Sequence, residues 1–115
     1  MQNAWAALLW LRRDLQGSKT VTMAEPNGPV VFEAPFISAK DRNRLQWREI
    51  QYYLEASERQ LRRNIHGSHN IVAENVIEFT FSLDPNDSIA IISITTETGL
   101  KTAQYTTRVW LRNMR

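Results

Sequence analysis

The sequence predicts an α+β domain, with one N-terminal α-helix packed on antiparallel β-sheet. Three observations carry that prediction. Apolar residues repeat at helical spacing over Ala4, Leu8, Leu11 and Leu15. Past Gly17 the period drops to two, most plainly at Ile77, Phe79, Phe81 and Leu83. Turn signals separate short β-rich runs along the rest of the chain. At 115 residues this is a single domain, with the helix at 3–16 and a β-rich headgroup at 20–113.

The helix is bounded by a plausible N-cap, Asn3, and by Gly17 as its C′ residue. Leu8, Leu11 and Leu15 define one face, while Ala6, Leu9, Trp10 and Arg13 lie on or near the opposite one. A helix with one buried stripe has no reason to carry Leu9 and Trp10 on its back, so both faces are expected to be covered. Thr20 to Ala24 and Val30 to Ala34 flank the turn signal Glu25-Pro26-Asn27-Gly28-Pro29, which reads as a hairpin. Residues 37–46 read as polar and irregular. Trp47 to Ile65 reads two ways. As a helix it aligns Trp47, Ile50, Leu54, Leu61 and Ile65 and gains the pairs Glu55–Arg59 and Glu58–Arg62. As strands, Ile50, Tyr52 and Leu54 share one face, and Leu61, Arg63 and Ile65 follow a turn near Ala56 to Arg59. Gly67-Ser68-His69-Asn70 reads as a loop and Asp84-Pro85-Asn86-Asp87 as a turn. Ile89 to Thr95 is an apolar strand, and Thr98-Gly99 turns the chain. In the last strand Ala103, Tyr105, Thr107, Val109 and Leu111 share one face; Gln104, Thr106, Arg108, Trp110 and Arg112 share the other.

Composition narrows the function classes. The net charge of +2 is too small to argue for nucleic acid by itself. Cysteine is absent, which removes disulfides, thiolate zinc sites and cysteine nucleophiles. The longest apolar run, Ala4 to Leu11, is eight residues, far short of the roughly twenty a membrane span needs. Arg12 and Arg13 follow it where a signal peptide would place its cleavage site. Met1 opens almost directly into the apolar helix pattern, which leads us to expect that an upstream segment was removed.

Candidate chemistry is sparse. No nucleophile has a visible activating base, and no glycine-rich phosphate loop is present, so no catalytic residue, metal or cofactor is expected. His66 and His69 lie three apart without a third ligand and read as loop histidines. Asp84, Asn86 and Asp87 lack the spacing of a calcium loop. Arginine outnumbers lysine 11 to 3, and Arg42, Arg44, Arg48, Arg59, Arg62 and Arg63 sit near Trp47, Tyr52 and Tyr53. Basic and aromatic residues together could hold single-stranded nucleic acid. Arg48, Tyr52, Arg59, Arg62 and Arg63 would be that surface. Glu49, Glu55 and Glu58 cancel much of the charge, so a solvated face is the plainer reading. The better-supported site is a partner interface made of Ala6, Leu9, Trp10 and Arg13. A small-ligand pocket in an α+β domain is the alternative, and it needs 47–65 to be helical.

Several segments, in order, resemble the periplasmic part of minor pseudopilins of type II secretion (the J class) and the related minor pilins of type IV pili. They are Leu11-Arg12-Arg13-Asp14-Leu15; Arg48-Glu49-Ile50-Gln51-Tyr52-Tyr53-Leu54 with Arg59-Gln60-Leu61-Arg62-Arg63; Ile71 to Phe81; and Thr106 to Asn113. The resemblance implies a pilin-like α+β fold and a β-hairpin rather than a helix at 47–65. It implies a non-enzymatic subunit that meets sibling pilins through Ala6, Leu9, Trp10 and Arg13 near a filament tip and helps initiate assembly. It also implies an inner-membrane anchor upstream of Asn3, with the domain in the periplasm or outside the cell. The family's leader, cleavage site and membrane-spanning half-helix do not occur in the sequence.

Overall fold

A computed structural model describes residues 3–23, 29–38, 40, 44–65, 67–86 and 88–111. One helix, α1 (Ala4–Leu15), is followed by eight strands: β1 (Lys19–Met23), β2 (Val30–Ser38), β3 (Arg44–Glu55), β4 (Gln60–Ile65), β5 (Ser68–Glu74), β6 (Val76–Leu83), β7 (Ile89–Thr98) and β8 (Lys101–Trp110). The strands form two antiparallel meanders, β1-β2-β3-β4-β5 and β6-β7-β8.

The expected pilin-like α+β class is therefore corrected. The domain is mostly β, with one 12-residue helix among the described residues. The extra strand forms where local reading saw none. Residues 37–46 were expected to be irregular, yet β2 runs to Ser38 and β3 starts at Arg44, with Ile37 opposite Leu45 and Phe36 opposite Gln46. The expected loop from Gly67 to Asn70 yields most of its length to β5, where Asn70 faces Arg63 and His69 faces Asn64. Such cross-strand pairs stabilise a strand from outside its own segment. At Asn75 the chain leaves one sheet for the other, and the residue adopts φ 59, a left-handed conformation that asparagine tolerates better than most.

Residues 47–65 form the β3–β4 hairpin, with Leu54 opposite Leu61 and Tyr52 opposite Arg63. Glutamate, arginine and glutamine favour a helix here, but the alternation of Ile50, Tyr52 and Leu54 prevails because that face is buried. Of the predicted turn from Glu25 to Pro29, residues 25–28 lie outside the described residues, as does Ala24 of the strand predicted before it.

The helix ends as its residues dictate. The Asn3 side chain accepts a hydrogen bond from the Ala6 N–H at 2.8 Å, and Arg12 and Arg13 sit in the last turn, where the helix dipole favours cations. Gly17 then turns the chain with φ 80. Ala4, Ala7, Leu8, Leu11 and Leu15 are buried, and α1 packs on β2, β5, β7 and β8, so it lies against both sheets. One core cluster joins this stripe to Phe32, Ile50, Tyr52 and Leu61 of the larger sheet. It also includes Phe79, Phe81, Ile92, Ile94 and Val109 of the smaller sheet.

Candidate functional site

The two sheets cover only one side of α1. Trp5, Leu9 and Trp10 are 53%, 49% and 50% exposed, an unusual load of apolar surface for a helix with a complete buried stripe. Leu9 lies at the centre of the outer face. The four residues expected to meet a partner (Ala6, Leu9, Trp10 and Arg13) line one shallow groove of about 280 Å³. Their spacing of three, four and seven places them together on any helix. Trp5 was missed. It lies beside Leu9 at i,i+4, which its position in the sequence already allowed one to see.

Behind Trp10 the helix edge is pinned to the larger sheet by a charged cluster. The Arg63 Nε donates to Asp14 Oδ2 at 2.7 Å and its Nη2 donates to Oδ1 at 3.1 Å. The Tyr52 hydroxyl donates to the same Oδ2 at 2.5 Å. Both charged side chains are nearly enclosed, 11% exposed for Arg63 and 12% for Asp14. Burial, joined by the charge and the hydrogen bond of Asp14, pushes the Tyr52 phenol far above its ordinary range. Burial works against the Arg63 guanidinium, but its hydrogen bond and ion pair with Asp14 outweigh that and raise its pKa. The guanidinium also lies 5.2 Å from the Trp10 ring centroid, which steadies an otherwise exposed indole.

Of the proposed nucleic-acid residues, Arg48, Tyr52 and Arg63 come together around Asp14 and the cavity beside it, while Arg59 and Arg62 lie apart from them. Tyr52 is fully buried and bound to Asp14, and the nearly enclosed Arg63 is bound to the same carboxylate. Arg62 points to the other face of β4 and donates to Gln60 Oε1 at 2.7 Å, and Arg59 pairs with Glu97 at 3.3 Å. Arg48 remains near Arg63, its guanidinium 5.1 Å from the Phe36 ring. Arg42 lies outside the described residues, as do His66, Asp87 and Arg112. His69 hydrogen-bonds the Tyr53 hydroxyl at 2.7 Å. Asp84 closes its own turn, accepting from the Ser88 and Ile89 N–H groups at 2.7 and 3.0 Å; the Ile89 bond first, then those of Ser88, hold its carboxyl below the usual range. No group of three or more metal-ligating side chains occurs among the described residues. No helix among them is long and apolar enough to cross a membrane.

The Asp14–Arg63–Tyr52 cluster was not foreseen. A signal existed: the strand reading sets Tyr52 and Arg63 on the core face with Ile50 and Leu54. A buried arginine there needs a carboxylate, and Asp14 adjoins the buried Leu15. Comparison with family profiles, curated proteins and solved structures finds no match to this chain.

Proposed function

We propose that the chain is a non-enzymatic assembly subunit that docks on sibling subunits through the outer face of α1, as a minor pilin or pseudopilin of a type IV pilus or type II secretion apparatus. On this reading it works near the filament tip and helps initiate assembly, anchored to the inner membrane with this domain on the far side. The observation that carries the docking reading is the exposure of Trp5, Leu9 and Trp10 on a helix whose inner stripe is already buried. The filament class and the location rest on the sequence resemblance. Covering Leu9 and Trp10 would contribute about 2–4 kcal/mol before the entropy cost of association. The small-ligand alternative loses its premise, because 47–65 is strand. The nucleic-acid alternative loses its stacking residue, because Tyr52 is fully buried, and Arg59 and Arg62 lie apart from Arg48 and Arg63.

The test is co-expression with sibling minor pilins followed by size-exclusion chromatography. The parent chain co-elutes with at least one sibling. Leu9→Glu, at a half-exposed position outside the buried core cluster, stays folded by circular dichroism and elutes alone. Co-elution of the variant at parental strength would remove this face as the interface.

A further inference from the structure

A cavity of about 390 Å³ opens between the Trp10–Gln16 edge of α1 and the larger sheet, next to the docking groove and sharing Trp10 and Arg13 with it. Arg13, Arg48 and Arg63 line it, against one carboxylate, Asp14. That carboxylate is already committed, since Arg63 and Tyr52 occupy both of its oxygens. Arg13 and Arg48 face no acid at ion-pair distance among the described residues. The Arg48 Nε is buried and has no hydrogen-bond acceptor. Buried N–H groups are almost always satisfied, so this orphan marks a guanidinium that the described residues leave short of acceptors, on a side chain that lines the cavity. The remaining walls are the polar Gln16 and the apolar Ala34, Pro35, Ile50 and Trp10, the last four suited to the methylene arm of a side chain.

We infer that this cavity receives an aspartate or glutamate side chain of the protein docked on α1, whose carboxylate is taken by Arg48 with Arg13. The planar fork of arginine matches a carboxylate in a two-point contact, and the excess of guanidinium over carboxylate supplies the complementary charge. A partner lying along Leu9 needs only to reach past Trp10 to place an acid there. The inference rests on the docking reading for the identity of the occupant; the anion site itself stands on the cavity.

The experiment titrates the full chain with glutarate, a stand-in for the acidic side chain, and follows arginine Nε–Hε signals by ¹H–¹⁵N NMR. The expected result is a saturable shift of Arg48, half-complete at about 10 mM, as one or two charge-assisted contacts allow. Arg44 and Arg108, both exposed, stay still. Arg48→Gln leaves the fold intact and weakens glutarate binding about tenfold. It also weakens co-elution with the sibling that Leu9→Glu releases. No saturable shift at Arg48 overturns the inference, as do equal shifts at Arg44 and Arg108. Tighter binding of inorganic phosphate than of glutarate would assign the cavity to a phosphoryl group and overturn it too. If Leu9→Glu breaks the complex while Arg48→Gln does not and glutarate is silent, the docking reading survives and this inference falls. If glutarate binds but Leu9→Glu has no effect, the docking reading falls and the anion site remains without the proposed occupant.

Discussion

Replacing Arg63 with methionine removes the cation that holds Asp14 against the larger sheet. The side chain keeps much of its apolar stem, so the loss is chiefly electrostatic. In the parent, two guanidinium N–H groups reach both oxygens of a carboxylate only 12% exposed. Breaking a buried pair costs about 3–5 kcal/mol, because the remaining charge is left without compensation. Tyr52 still donates to Asp14 and the carboxylate keeps some contact with solvent, so the low end applies, about 3 kcal/mol. For a domain of this size that corresponds to a fall in Tm of about 12 °C. Thermal unfolding followed by circular dichroism reads it directly. A double-mutant cycle with Asp14→Asn isolates the pair, and we expect a coupling of about 2 kcal/mol. Additivity within about 0.5 kcal/mol would refute the reasoning, since it would mean that Asp14 and Arg63 do not depend on each other.

Tyr52→Phe deletes one donor to Asp14 and costs about 2 kcal/mol at neutral pH by denaturant unfolding. The folded-state pKa of this phenol is raised, so its contribution is intact below the unfolded value of about 10 and is lost as pH rises beyond it; the gap between parent and Tyr52→Phe must narrow above that pH, and a constant gap would contradict the burial argument. Asn75→Ala places an ordinary side chain at φ 59 and destabilises by about 1 kcal/mol, whereas Asn75→Gly stays within about 0.5 kcal/mol of the parent, both by chemical denaturation. Leu9→Glu on the isolated chain shifts stability by no more than about 0.5 kcal/mol, and a larger loss would show that Leu9 supports the fold rather than a partner.

The helix was legible because its signals are local: Asn3 as a cap, leucines at helical spacing, Gly17 as a stop. The outer face was legible for the same reason, since Leu9 and Trp10 violate a one-sided pattern within a dozen residues. Strand content was underestimated because strands are stabilised by partners distant in sequence. Nothing within 37–46 announces that Ile37 will face Leu45. The break at Asn75 was hidden too. Ile71 to Phe81 is apolar on both sides of it, and only the fold shows that the chain changes sheets there. The charged cluster escaped for a different reason. Arg63 and Tyr52 were weighed as surface by their chemistry, although the alternation of β3 and β4 turned them inward, where Asp14, some 40 to 50 positions away, meets them. Where chemistry and periodicity disagree about a side chain, a buried partner of opposite charge resolves the conflict.

On the proposed docking, the outer face of α1 is covered by another subunit. A photo-crosslinking amino acid at position 9, introduced into the chain in cells that express the proposed sibling subunits, probes that contact. The expected outcome is a discrete adduct with a proposed sibling subunit, absent when the crosslinker replaces the exposed Ile37 near the end of the β2–β3 ribbon. No adduct from position 9, with one formed from position 37, would contradict it.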